Sequence, residues 1–225
     1  MSKTIVVVSC LAVTAVLIAA CVLCQTPVDR SLLTGDPCEP PCWQGLTPGE
    51  STLEDVNEFM RTSGFVSPLT VHRSALRIAG GERVGLSIWW QSNVWGAGGS
   101  NNFDIHGGVL DSITIHPHYD VTLGRLINRY GPPEKYVAFL PIGGPLYYDV
   151  TLYYPAHGFT VHLALRYDDP TLRPETGVGS VWYFRAAPLE QFLELRREQG
   201  YSSSTPHEAL QYMHDWQGYG AIDLD

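Results

Sequence analysis

Tyr147-Tyr148-Asp149-Val150-Thr151-Leu152-Tyr153-Tyr154, then Pro155-Ala156-His157-Gly158, then Phe159-Thr160-Val161-His162-Leu163-Ala164-Leu165: the reading of this stretch decides the fold. Tyr148, Val150, Leu152 and Tyr154 recur at every second position, so they share one face of an extended strand. Proline and glycine then turn the chain. Phe159, Val161, Leu163 and Leu165 share a face of the returning strand. Alternation of this kind marks antiparallel strands with one face buried and the other wetter.

Upstream, the spacing predicts a helix. It opens near Asp120 and Thr122, carries Leu123, Leu126, Ile127 and Tyr130 as an apolar stripe, and stops at Gly131-Pro132-Pro133. An earlier segment has the same order. Ser51 and Glu54 stand at capping-box spacing, Leu53, Val56 and Met60 follow at helical spacing with Phe59 beside them, and Gly64 ends the run. Strands are expected at Arg83–Trp90 and Val109–Ile115, with Val94 to Gly108 as a glycine-rich loop or hairpin tip, and one more at Val178–Phe184. Superposing Thr52-Leu53 on Thr122-Leu123 gives an offset of 70 residues. Two helices are expected last, Pro188 to Gln199 and Thr205 to Trp216, before a fraying acidic end. The expected fold is α+β: tandem helix-then-antiparallel-sheet repeats over 42–118 and 119–187, with C-terminal helices and a tail over 188–225.

The other end of the chain says where the body works. Residues 4–23 carry no charge and follow Lys3, which fits either a signal peptide or a helix of about 20 apolar residues spanning a bilayer. Ile18-Ala19-Ala20-Cys21 resembles the bacterial lipobox, in which the cysteine is diacylated and becomes the new N-terminus. The expectation is a lipoprotein signal over 1–20 with lipid attached to Cys21, or an uncleaved anchor over 4–23. Either places the domain on the extracytoplasmic side of a cell membrane. Residues 21–41, with four prolines and little to bury, read as a flexible tether.

Composition narrows the partners. With 44% hydrophobic residues there is enough to build a core, and a formal charge of −9 argues against nucleic acid and against polybasic docking on anionic lipid. The nearest basic cluster, Arg196-Arg197, reads as a solvated helix face. Cys38 and Cys42 enclose three residues, a spacing that suits a disulfide in an oxidising compartment; free thiols and a metal site are the alternatives, and no further ligands lie in sequence reach. Cys24 has no evident partner in sequence.

Cys42-Trp43-Gln44-Gly45-Leu46-Thr47-Pro48-Gly49, with Thr52 and the helix after it, resembles a segment that opens the exported domain of uncharacterised bacterial lipoproteins. The stretch from Leu123 to Pro132 is similar to small envelope lipoproteins of the SmpA/OmlA (BamE) type, and the tandem order to the β-lactamase-inhibitor-protein fold. The first helix departs from the pattern, since no proline adjoins Gly64-Phe65. These resemblances imply a non-enzymatic envelope protein that acts through a surface. They imply no site residues and no cofactor.

Catalytic chemistry has one sharp candidate. His116-Pro117-His118-Tyr119-Asp120 resembles the zinc-binding segment of the metallo-β-lactamase fold, but Val121 stands where the next histidine belongs. His207-Glu208-Ala209-Leu210-Gln211 approaches a zincin helix and fails at Gln211, a poor zinc ligand. Gly85-Leu86-Ser87-Ile88-Trp89 fails as a nucleophile elbow at its last position. Trp89-Trp90, Tyr147-Tyr148 and Tyr153-Tyr154 each send one ring to either sheet face; exposed rings would bind protein or glycan, unless helices cover both faces. The expectation is a membrane-tethered, non-catalytic binding or assembly protein with an envelope protein or glycan as partner. The alternatives are a metal-dependent hydrolase using His116, His118 and Asp120, and an inhibitor of an exported enzyme.

Overall fold

Strand alternation and helix capping build the observed architecture. A computed structural model describes residues 30–77, 83–92, 100–117, 121–141, 146–199 and 202–223. The leader, Cys21, Cys24, His118 and Asp120 lie outside the described residues. The elements in chain order are α1 (Ser31–Thr34), α2 (Leu53–Thr62), β1 (His72–Arg77), β2 (Arg83–Trp90), β3 (Asn101–His106), β4 (Val109–Ile115), α3 (Leu123–Tyr130), β5 (Lys135–Phe139), β6 (Tyr147–Tyr154), β7 (Phe159–Arg166), β8 (Thr171–Leu172), β9 (Ser180–Phe184), α4 (Leu189–Glu198), α5 (Pro206–Leu210), β10 (His214–Asp215) and β11 (Gly220–Ala221). The chain is mixed α and β, mostly antiparallel sheet with a few helices.

One sheet runs in the order β1-β2-β3-β4-β9-β7-β6-β5-β10, and β8 pairs with β11 apart from it. The β6–β7 hairpin keeps the alternation of its sequence, with Val150 opposite Leu163 and Leu152 opposite Val161. All four are buried on the inner face. Helices α2 and α3 cover that face, and Val56, Leu123 and Leu126 join its core. Thr52 caps α2 and Thr122 caps α3, each hydroxyl accepting a backbone N–H at the third helical position. Both helix starts are clamped alike. The Leu53 N–H donates to the Gly108 carbonyl at 2.9 Å and the Leu123 N–H to the Thr176 carbonyl at 2.8 Å, while Leu110 and Val178 donate back to Ser51 and Val121.

Several expectations need correction. The capping box of α2 uses Thr52 and Asp55, not Ser51 and Glu54, because the Ser51 carbonyl is engaged by Leu110 and its hydroxyl accepts from the Thr47 N–H. The tether does not reach Pro41. Leu32 is buried in the core, the Tyr130 hydroxyl donates to its carbonyl at 2.6 Å, and Glu39 pairs with Arg129. Prolines set the path of this segment, but the leucines within it have apolar surface to bury. Cys38 and Cys42 form a disulfide with Cα atoms 5.7 Å apart.

Strands β1, β3 and β5 escaped the sequence reading, as did the two-residue β8, β10 and β11. β1 and β5 lie toward the two margins of the sheet, and β3 occupies much of the stretch that reads as a glycine-rich loop. At the C-terminus the second helix ends at Leu210 instead of Trp216, and His214–Asp215 adds to the β5 edge. The tail does not fray along its described length: Gly220–Ala221 pairs with β8, Ile222 is buried, and the Asp223 N–H donates to the Tyr136 hydroxyl at 3.1 Å. No helix among the described residues is long and apolar enough to cross a membrane.

Candidate functional site

The outer face of the sheet carries the polar and aromatic side chains that alternate with the core. One row across it runs Trp89, Asn102, Thr114, Trp182, Thr160, Tyr153, each opposite the next. Helix α4 covers the middle of this face. Phe192 stacks on Phe184 with ring centroids 3.8 Å apart, Tyr153 and Trp182 pack against the same small cluster, and the Arg196 guanidinium lies 3.5 Å over the Trp182 ring. A cavity of about 70 Å³ remains beneath the helix, lined by Trp182, Phe184, Phe192 and Arg196 among others.

Toward β2 and β3 the outer face is closed by polar groups that satisfy one another. Asp104 accepts from the Ser87 hydroxyl at 2.7 Å and the Asn102 amide at 3.1 Å through one oxygen, and from the Ser112 hydroxyl at 3.3 Å through the other. All four residues are buried. The Ser87 hydroxyl is therefore spent inside a structural network, which agrees with its failure as a nucleophile elbow. Replacing Asp104 by Ala leaves the buried Ser112 donor, and part of the Ser87 and Asn102 capacity, without an acceptor. The expected loss is about 2 kcal/mol, seen as a lower urea midpoint at unchanged slope. A loss below the error of extrapolation would mean the network is decorative.

The second polar group lies where β4 and β9 join the two halves of the sheet. His162 on β7 stands opposite Ser180 on β9 and Thr151 on β6. Its Nδ1 is 3.1 Å from the Thr151 hydroxyl and 3.8 Å from an Asp149 carboxylate oxygen. His116 follows β4 directly; its backbone N–H donates to the Asn101 side-chain oxygen at 2.8 Å. Its ring Nδ1 is buried with no partner among the described residues. Burial, reinforced by the nearby His162, lowers its pKa below the ordinary histidine value.

The sign of the resulting pH effect is definite. Near neutrality both states of the protein hold His116 uncharged, and below about pH 6.5 the unfolded chain takes up the proton more readily than the folded one. Stability therefore falls as pH drops through the window between the unfolded value and the lowered folded value. A His116→Asn variant should show a flatter stability profile from pH 7 to pH 5; equal slopes would remove His116 as the cause.

Among the described residues no three histidine, cysteine, aspartate or glutamate side chains converge as metal ligands. His207 contacts Gln211 within α5 and its turn, far along the chain from the seam histidines. The strongest surface feature is one that the sequence reading did not single out. At the ends of β5 and β6, Phe139 is 51% exposed, Leu140 42% and Leu146 75%, and Tyr167 beside them is 49% exposed. Trp89, 40% exposed, lies on the far half of the sheet, in register with Tyr153 at the other end of β6. The available signal was the run from Tyr136 to Tyr148, thirteen residues without a charge.

No protein-family model, curated protein or solved structure matches this chain. The site geometry alone carries the functional reading. His116, the one described candidate ligand of the proposed zinc segment, neighbours His162 and Asn101.

Proposed function

We propose that the chain is an extracytoplasmic, membrane-tethered binding or assembly protein that acts through the sheet end carrying the β5–β6 tip. One observation carries this reading: large apolar side chains, Phe139, Leu140 and Leu146 with Tyr167, stand in water at that end. Monomeric surfaces seldom leave contiguous apolar groups uncovered without a use for them. The apolar leader and the lipobox-like Ile18-Ala19-Ala20-Cys21 supply the tether, and the disulfide fits an oxidising compartment.

The matching clamps at the two helix starts support an internal duplication, with units near 42–118 and 119–187. Each unit is a helix followed by strands, and the two halves of the one sheet meet antiparallel at β4 and β9. That mirrored order supports the likeness to tandem helix–sheet inhibitor and envelope-lipoprotein folds, and with it a surface-binding role.

Labelled fatty acid should enter the wild-type chain and not Cys21→Ser, and the wild type should fractionate with membranes. Equal labelling of both would exclude lipidation at Cys21. Recovery of the wild type from the soluble cell interior, with Cys38 and Cys42 reduced, would overturn the location altogether.

A further inference from the structure

The cavity beneath α4 is bracketed by two guanidinium groups, and the fold places each by a different means. The Arg196 Cζ sits 3.5 Å from the centre of the Trp182 ring, which fixes that cation against an aromatic face. Arg185 is placed by a glycine. A Cβ on Gly49 would lie 2.9 Å from Arg185 Cδ and 3.5 Å from its Cβ and Cγ, so the arginine stem runs against bare backbone held at φ 85°. Arg185 is exposed, which puts its head at the mouth of the cavity, and it has no carboxylate partner among the described residues.

The remaining walls are mostly apolar: Phe184 stacked on Phe192, with Leu195 and Trp182 beside them. The acidic groups nearby are already engaged. Asp111, the one carboxylate in the lining, accepts the Gln199 side-chain amide, and Asp104, reached through the Ser112 hydroxyl, accepts three hydrogen bonds. The lining thus carries two positive charges and one negative in a chain of net charge −9.

Charge and shape together select the occupant. A guanidinium without an acid beside it draws a carboxylate or a phosphate. Phosphate would shed water against Phe184, Phe192 and Leu195 and gain nothing from them, whereas a carboxylate can keep its head at Arg185 and bury an apolar end. At about 70 Å³ the cavity has half the roughly 150 Å³ that takes a benzene ring, which suits a branched end of about three or four carbons. Helix α4 roofs the space, so no chain segment passes through it.

We infer that this cavity binds a small branched carboxylic acid, held by its acid group at Arg185 and by its apolar end between Leu195 and the Phe184–Phe192 stack. The site lies under α4, apart from the β5–β6 tip, and goes beyond the binding reading above without resting on it.

The test titrates full-length chain in detergent with sodium 3-methylbutanoate by calorimetry. Two analogues divide the recognition: 3-methylbutanamide keeps the shape without the charge, and acetate keeps the charge without the branch. The expected result is saturable one-to-one binding, about tenfold or more weaker for either analogue. Arg185→Gln should weaken it by a similar factor, and Arg30→Gln, which removes an exposed arginine outside the lining, should leave it unchanged. Because Arg185 is exposed, an unchanged melting temperature shows that its variant is folded. Leu195→Trp, which fills the cavity from α4, should abolish binding without altering charge. Absence of saturable binding, equal affinity for the amide, or an unaltered constant in Arg185→Gln overturns the inference. So does tighter binding of N-acetylleucine, which stands for the C-terminal end of a polypeptide and would make the occupant a protein. These readings use purified chain, so failure of the tether or of the β5–β6 surface leaves them unchanged.

Discussion

Replacing Trp43 by Ala is expected to cost about 3–5 kcal/mol, a large part of the 5–15 kcal/mol that holds a typical domain together. Trp43 is almost wholly buried and sits among four other rings: Phe59 at 5.3 Å, Trp90 at 5.9 Å, Phe103 at 6.0 Å and Phe65 at 6.3 Å between centroids. Those rings come from α2, the loop after it, β2 and β3, so the indole joins α2 to the inner face of β2 and β3. It is held in place by a tight turn. Trp43 and Leu46 exchange both backbone hydrogen bonds, with Gln44 and Gly45 at positive φ between them. Such a two-residue turn favours residues that tolerate left-handed backbone, which explains the glycine in this segment. Urea unfolding monitored by circular dichroism should show the loss, with Trp43→Phe retaining a substantial part of it. A Trp43→Ala variant within 1 kcal/mol of wild type would show that the segment before α2 is an accessory and not part of the core.

Gly158→Ala should be the second-largest effect, about 3 kcal/mol. Gly158 follows the short 3₁₀ turn at Pro155–His157 in left-handed backbone, with φ 68° and ψ 39°. A Cβ there would lie 2.6 Å from the Phe184 carbonyl oxygen, 2.7 Å from Pro41 Cβ and 3.0 Å from the Ala186 nitrogen. Two of these neighbours are backbone, and the Gly158 carbonyl already accepts the Phe184 N–H at 2.9 Å, so there is little room to relax. Gly107→Ala separates conformation from crowding. Gly107 has φ 57° and nothing within 4 Å of a built Cβ, so its variant should lose only about 1 kcal/mol of left-handed strain. Equal melting temperatures for the two variants would mean that the close approach of Pro41 and β9 to the turn does not matter. The contact also shows why the segment before Trp43 is not a free leash: Pro41 packs on the very turn that the β6–β7 hairpin makes.

The candidate surface was only partly legible. The seam histidines were named, but their neighbourhood was not, because His116 and His162 are 46 positions apart and only the pairing of β4, β9 and β7 brings them to one region. The Asp104 network was missed for the opposite reason. Asn101, Asn102 and Asp104 are poor strand formers, so β3 read as a loop; in the fold, hydroxyls from β2 and β4 donate to Asn102 and Asp104, the His116 backbone N–H donates to Asn101, and the strand becomes tolerable. The apolar tip was present as an uncharged run, yet a run of that kind reads equally well as core until its exposure is known. The extra helix length expected after Leu210 failed because His214 and Asp215 find a partner strand in β5, a contact 80 residues away in sequence.

Local pattern by itself determined the antiparallel hairpin at Tyr147–Leu165 and the two helices 70 residues apart, since each depends on residues near one another in the chain; it left the Cys38–Cys42 disulfide as one of three alternatives and misplaced the first cap by one residue. Tertiary structure alone decided that the strands form one sheet through β4 and β9, that α4 closes the middle of its outer face, and that Phe139, Leu140 and Leu146 stay in water. The reason is physical. Periodicity tells which side chains share a face, but whether that face is covered depends on what the rest of the chain lays over it, and that is a property of the packed whole.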